Sequence, residues 1–386
     1  YINVQKKIFY WSPCLNKVGT VNSTINSAIS LKKYSQSKFK PLIINSCGEW
    51  DEYKNLFSKF NIDVIDLYKI NYFTILPKRG FIQSRFSYIL IFILSFIPLL
   101  KLIRNNKDSV FIAHLITSLP LFLFNIFQFE SNLILRISGM PKLNFIRKKF
   151  WNLSSLNISL ITCPSFELLS KLKSKNIFEE NRLFFLPDAI FRLDDFIKRK
   201  NLSELKNLPV KKKIILSIGR LTKQKNFKYL VNEFSLFNKH NDDYCLCILG
   251  DGEEKKEIQK LIISKNLSKK VFLLGHIKNV YNYIKRSEVF VLSSLWEDPG
   301  FVLIEAGLGN LFVISSDCPN GPKEILNNGI NGILYKSNCL NSLSNSLVEY
   351  TTLNESTKLS KKLKLKKNIK KYSMFNHFNI IRNLLN

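Results

Sequence analysis

Two carboxylates, Glu297 and Glu305, bracket a Pro-Gly step and an apolar run in LWEDPGFVLIEAG, Leu295 to Gly307. Pro299 and Gly300 make LWEDPG a loop, and FVLIEAGLG then starts a helix with Glu305 roughly one turn inside its N-terminus. The helix dipole tolerates a carboxylate there, so Glu305 reads either as a first-turn charge or as a group that holds a ligand. Glu297 reads either as an exposed loop residue or as a group aimed at something bound. Upstream, GRLTKQKN (Gly219 to Asn226) places Arg220 and Lys225 between a strand and a helix spanning Asn226 to Asn238. Two cations beside a helix N-terminus suit a phosphate, because free backbone amides and the helix dipole add to the side-chain charges. In so basic a chain, chance places cations together as well. GDGEE (Gly250 to Glu254) is a tight turn with close backbone approach. In GHIKN (Gly275 to Asn279) the glycine leaves room for something flat or bulky, and His276 by itself is more often structural than catalytic. DCPNGPKEI (Asp317 to Ile325) is a turn followed by a helix.

Each of these loops follows a short apolar run rich in β-branched residues: IILSIG, YCLCILG, VFLLG, VFVLSS and LFVISS. Their alternation with longer amphipathic stretches predicts an α/β fold with parallel sheets. The loops then share one edge of one sheet, and open parallel sheets bind ligands beyond the carboxyl ends of their strands. The first half repeats the pattern with KKIFYW, PLIINS, IDVIDLY, SVFIAHL, NLILRIS, ISLITC and RLFFLP. Between the halves, DDFIKRKNLSELKNLPVKKK (Asp194 to Lys213) is polar and carries a proline, which marks a linker. The expected domains are therefore 1–195, 196–365, and a C-terminal helix over 366–386 that crosses back to the first.

The 386 residues suffice for two domains, and the apolar content excludes general disorder. A net charge of +29 implies attraction to an anionic surface or phosphorylated substrates, although Lys, Asn, Ile and Phe are enriched along the whole chain, as a codon bias would produce. No zinc finger, RNP motif or basic zipper accompanies the lysines, so nucleic acid is not an expected partner. The seven scattered cysteines form no CxxC pair and suit free thiols in a reducing cytoplasm, and the four histidines lie too far apart for a metal site. No signal-peptide stretch opens the residues present, which begin at Tyr1. FSYILIFILSFIPLL (Phe86 to Leu100) is an apolar helix flanked by Arg85, Lys101 and Arg104. It is shorter than the roughly 20 residues that span a bilayer, which favours a buried or interfacial helix and, with its basic flanks, contact with a membrane surface.

In order and spacing, SIGRLTKQKN, LGDGEE, LLGHI, SSLWEDPGFVLIEAG and SSDCPNGPKEIL resemble the nucleotide-binding domain of glycosyltransferase family four, the retaining GT-B enzymes, over residues 212 to 335. Glu297 and Glu305 reproduce that family's E-x₇-E motif. The first half is similar more loosely, through SPCLNKVGTVNS, HLITSLP, CPSFE with Ser165, and FLPDA, and looks most like members that build bacterial surface polysaccharides. The resemblance implies two Rossmann-like domains facing each other across a cleft. It implies a UDP-, GDP- or related nucleotide-sugar donor, no separate cofactor, and no metal, in keeping with the lack of a D-x-D motif. Arg220 and Lys225 would hold the diphosphate, Glu305 the ribose hydroxyls, and Glu297 would lie by the transferred sugar. Gly300 would let the amides of Phe301 and Val302 approach phosphate and sugar, and Gly275 and His276 would line the same donor site. From the first half, His114 would contact the sugar and Gly19 would approach the phosphates, although KVGT has one glycine where the family commonly has two. LPDAI departs from the common Pro-Asn-Gly, so Asp188 takes no role. The implied activity moves a hexose to a lipid-linked or growing glycan at the inner face of a cytoplasmic membrane. The competing readings are a GT-B epimerase or phosphorylase, and a basic membrane- or nucleic-acid-binding protein on a degenerate enzyme fold.

Overall fold

The computed structural model describes residues 5–15, 19–77, 81–114, 119–140, 144–191, 212–277, 279–297 and 299–386. The chain divides into one unit of Tyr1–Phe191 with Tyr372–Asn386, and a second of Arg192–Lys371. The breaks thus fall at 191 and 371 rather than 195 and 365, and most of the expected linker lies outside the described residues.

The first unit is built as β1 (Lys6–Trp11), α1 (Gly19–Tyr34), β2 (Phe39–Asn45), α2 (Lys54–Lys59), β3 (Asp63–Asp66), α3 (Phe81–Arg104), β4 (Val110–His114), α4 (Leu119–Ile126), β5 (Asn132–Arg136), α5 (Phe145–Ser155), β6 (Leu160–Cys163), α6 (Phe166–Lys173) and β7 (Leu183–Phe185). Its seven strands are ordered β3-β2-β1-β4-β5-β6-β7 and every pairing is parallel. Side chains alternate across the sheet with the two-residue period of a strand. Phe9, Trp11, Phe111 and Leu133 face α3, α4, α5 and α6, while Ile8, Tyr10, Ile112 and Ile134 face α1 and α2. Burial on both faces explains why these strands read as unbroken apolar runs. Helix α3 buries every fourth residue, Ser87, Ile91, Ser95, Leu99 and Ile103, and exposes Phe86, Ile89, Ile93 and Ile97. It extends beyond the expected Phe86 to Leu100, and by length and composition Gln83–Arg104 is long and apolar enough to cross a membrane.

The second unit runs β8 (Lys213–Ile218), α7 (Phe227–Asn238), β9 (Tyr244–Leu249), α8 (Lys255–Ser264), β10 (Val271–Gly275), α9 (Tyr281–Arg286), β11 (Val289–Leu292), α10 (Phe301–Leu308), β12 (Phe312–Ser316), α11 (Pro322–Ile325), β13 (Ile333–Tyr335), α12 (Ser342–Thr352) and α13 (Glu355–Asn368). Its strand order is β10-β9-β8-β11-β12-β13, again all parallel. The order reverses between β8 and β11, so the loops leaving these neighbouring strands diverge from a common point. That is where open parallel sheets place their ligands. β13 was not anticipated, because three residues are too few to display a period.

Helix α14 (Met374–Leu385) follows and belongs to the first unit. Ser373 caps it by accepting from the Asn376 amide, and Met374, Phe378, Ile381 and Leu385 enter the core beside α1. The Lys6 ammonium closes its far end on the Leu385 carbonyl at 2.6 Å.

Candidate active site

The loops after β8 and β11 are stitched together by hydrogen bonds. The Leu295 amide donates to the Gln224 carbonyl at 2.8 Å, and Gln224 Nε2 donates to the Trp296 carbonyl at 2.9 Å. Ser293 Oγ donates to the Lys225 carbonyl at 2.7 Å. The result is a charged pair: Lys225 Nζ lies 2.5 Å from Glu297 Oε1. Ser294 Oγ donates to the same oxygen at 2.5 Å, and the Glu297 amide donates to the Pro319 carbonyl at 3.1 Å. The two charged side chains are 15% and 6% exposed, so Glu297 is a buried carboxylate and not an exposed loop residue. A Cβ at Gly219 would sit 3.2 Å from the Lys225 stem, so the strand-end glycine leaves a path for it. Among the described residues only Oε1 of Glu297 is engaged, which leaves Oε2 to accept from another group. Arg220, on the same loop, is exposed.

Beyond Glu297 the chain turns at Gly300, whose φ of +93° is left-handed and disfavours any residue with a side chain. Gly321 brings the next loop against this turn: a Cβ there would lie 1.9 Å from the Pro299 carbonyl oxygen. Helix α10 follows at once. Leu303, Ile304 and Ala306 are buried, Phe301, Val302 and Glu305 are half-buried, and Gly307 packs against Leu365 and Ile369. The apolar run between the two glutamates is therefore core that anchors α10. Gly275 ends β10, its carbonyl accepts from the Gly250 amide at 2.8 Å, and His276 beside it is exposed.

Candidate residues of the first unit are placed differently. Gly19 is the first residue of α1. His114 ends β4 and is buried: its Nε2 meets Thr24 Oγ1 at 3.3 Å. Thr24 spends its proton on the Thr20 carbonyl at 2.9 Å, so it accepts from His114 and fixes the Nε2–H tautomer. Nδ1 is buried without a partner among the described residues. Burial, and then the nearby Arg136 charge, push the His114 pKa down to about 3, so the ring is neutral. Ser165, which belongs to the matching CPSFE segment, caps α6 by accepting from the Leu168 amide at 3.2 Å.

Sequence reasoning overlooked a buried network in this unit. Arg136 pairs with Asp188 at 2.5 Å and donates to the Leu186 carbonyl at 2.6 Å. Ser23 also bonds Asp188. Burial alone would raise the Asp188 pKa, but Arg136 and the Ser23 hydrogen bond outweigh it and hold the carboxyl below its ordinary value. His377 of α14 meets Ser27 Oγ at 2.8 Å and the Pro187 carbonyl at 2.7 Å, and Tyr10 reaches the same Ser27 at 2.9 Å. Burial pushes the His377 pKa down to about 4, Arg136 adds to this, and the Pro187 carbonyl opposes it. Tyr10, Ser23, Ser27, Arg136, Thr162 and His377 line a cavity of about 20 Å³. The available signal was an arginine and an aspartate at the ends of apolar strands in NLILRIS and FLPDA. Ser294 was missed too, although a serine pair ending VFVLSS breaks the apolar pattern where a site would lie.

The model of the family described as glycosyl transferases group 1 matches residues 198–372. Residues 198–372 are thus similar to that family. The matched stretch holds the Lys225–Glu297 pair, Arg220 and α10. An uncharacterized glycosyltransferase of Methanocaldococcus jannaschii is 32% identical over 251 residues, which are 59% of this chain and 60% of that one. N-acetylgalactosamine-N,N'-diacetylbacillosaminyl-diphospho-undecaprenol 4-alpha-N-acetylgalactosaminyltransferase of Campylobacter jejuni is 28% identical over 67% of this chain and 70% of its own. Among solved structures, a glycosyltransferase from Rickettsia africae superposes with a TM-score of 0.77 at 16% identity, covering 99% of this chain and 98% of that one. S. aureus TarM, solved with UDP among its ligands, superposes at 0.72 with 16% identity over 99% of this chain and 100% of its own. The architecture is the GT-B fold of two Rossmann-like units.

Proposed function

We propose that this chain is a retaining, metal-independent glycosyltransferase that moves a sugar from a nucleotide-diphosphate sugar to a lipid-linked or growing surface glycan. The observation that carries the reading is the buried Lys225–Glu297 pair at the sheet's reversal point, with Glu297 Oε2 left to accept. Lys225 and exposed Arg220 supply positive charge for the diphosphate, whose negative charge grows as the sugar leaves. The amides of Phe301 and Val302, at the first turn of α10, add to that field. Glu305 accepts from the ribose hydroxyls, and Gly275 and His276 border the nucleotide. Glu297 Oε2 accepts from a sugar hydroxyl and orients the ring. In a same-face substitution the leaving phosphate oxygen takes the acceptor proton, so no carboxylate needs to become a nucleophile. His114, a neutral imidazole at the end of β4, is the first unit's candidate for a contact with the sugar. Gly19 opens α1 and offers a backbone approach to phosphate.

The acceptor class is supported by relatives named for diphospho-undecaprenol acceptors in Campylobacter jejuni and Escherichia coli and for amylovoran biosynthesis in Erwinia amylovora. On this reading the enzyme works peripherally on the cytoplasmic face of a membrane, where a lipid-linked acceptor would be met. The test is a thermal-shift screen with UDP-, GDP-, ADP- and dTDP-sugars, since a ligand that binds the native state raises Tm. One of them is expected to raise it, and Glu305→Ala to remove the rise. A Tm rise that survives in Glu305→Ala overturns the site, and no rise with any donor overturns the function.

A further inference from the structure

The first unit carries apolar surface that its own fold does not cover. On α3, Phe86, Ile89, Ile93 and Ile97 are between 54% and 63% exposed, along a line of about 16 Å at 1.5 Å per residue. On α5, Phe145, Ile146 and Leu153 are exposed, with Leu156 just past its end. α3 contacts α4 and α4 contacts α5, so the two rows belong to one face of the sheet. Cations accompany both rows. Exposed Arg85, Lys101 and Arg104 lie near the ends of the α3 row, and exposed Arg147, Lys148 and Lys149 interrupt the α5 row. No aspartate or glutamate occurs in α3, α4 or α5.

We infer that this face is a two-helix footing that lies flat on an anionic bilayer, α3 inserting its isoleucine row at the headgroup boundary and α5 adding the charge. The inference rests on the reading of the chain as a transferase that works at a membrane, and names the surface that touches it. α3 lies in the plane and does not span. Its opposite stripe, Ile91, Leu99 and Ile103, is part of the sheet's core, and β3 and β4 flank it on the same sheet. Crossing the bilayer would strip those residues from Phe111 and its neighbours. A helix with one buried stripe, one apolar exposed stripe and basic flanks suits interfacial seating. The cations complement anionic headgroups, and no carboxylate on the three helices opposes them.

The full chain is pelleted with vesicles of phosphatidylglycerol and phosphatidylcholine in equal parts, and with phosphatidylcholine alone. Binding is expected to the first and to be much weaker to the second. Arg147→Glu/Lys148→Glu/Lys149→Glu should lower partitioning by about a hundredfold or more, from the worth of each cation at such a surface. Ile89→Ser/Ile93→Ser should lower it by about tenfold or more through lost apolar burial. Both variants change exposed residues and should keep the wild-type Tm and its rise with a nucleotide sugar. Failure of the wild type to pellet, or equal pelleting of all three proteins, overturns the footing. So does a dimer in sedimentation equilibrium that Ile89→Ser/Ile93→Ser converts to monomer, since the face is then a self-interface. If the footing behaves as expected but no nucleotide sugar raises Tm, the surface stands and the transferase reading falls.

Discussion

Replacing Lys225 with methionine removes one partner of a buried pair and leaves the Glu297 carboxylate supported by Ser294 alone. Breaking such a pair from one side costs about 3–5 kcal/mol, most of it the penalty of a buried charge left uncompensated. Lys225 keeps 15% exposure and Ser294 remains, which points to the lower end, about 3 kcal/mol. In a unit of this size that lowers Tm by about 6–12 °C. Glu297→Gln alone should cost about 1–2 kcal/mol, because its amide oxygen still accepts and the ammonium can turn to water. Lys225→Met/Glu297→Gln should return most of the loss, giving a coupling of about 2–3 kcal/mol between the two sites. The four proteins are compared by denaturant unfolding, followed by tryptophan fluorescence. Trp296, beside Glu297, is the one tryptophan of this unit. Additive losses, with the double variant the least stable of the four, would refute the reasoning. The charges would then not form a unit, and Lys225 could serve the diphosphate without Glu297.

Other perturbations test the rest. Stability should fall as pH drops from about 6.5 towards 4, because unfolded histidines take up protons that buried His114 and His377 refuse; with pKa values of about 3 and about 4 their contribution is complete above 6.5 and lost below those values. Two such groups give a slope of about 3 kcal/mol per pH unit near pH 5, and Asp188, held low by Arg136, adds loss in the same direction at still lower pH. Unfolding of His377→Gln against pH should show about one proton less of slope, and an unchanged slope would contradict the burial argument. Gly300→Ala forces a side chain into a left-handed backbone and should cost about 1–2 kcal/mol, read as a lower Tm, with weaker donor binding if the Phe301 and Val302 amides shift. Ser294→Ala removes one of two donors to Glu297 Oε1 and should cost about 1–3 kcal/mol, checked by denaturant unfolding.

Much of the fold was legible because parallel strands buried on both faces must be apolar throughout. KKIFYW, YCLCILG and VFLLG accordingly fall on β1, β9 and β10 with ends shifted by at most one residue. Strand ends elsewhere moved further, as in ISLITC, where β6 begins only at Leu160, because the apolar pattern continues past the last ladder bond. The loops with charged residues were legible for the same reason: glycines and cations stand out where an apolar run stops. Arg136 and Asp188 were not, since they are far apart in the chain and each looks like an ordinary strand-end residue until β5 and the segment after β7 bring them together.

By itself the order of residues determined that there are two parallel α/β units, which loops end the strands of the second, and that Lys225, Glu297 and Glu305 lie in or just after those loops. Strand periodicity and turn chemistry are local, so they can be read along the chain. Only the tertiary structure decided which of these charges touch. The reversal of strand order between β8 and β11 puts Lys225 on Glu297, although 72 positions separate them. Burial turns that contact into a coupled pair, folds His114 inward on Thr24, and leaves the isoleucine row of α3 facing out. Burial and contact depend on which elements are neighbours in space, and no local stretch of sequence carries that information.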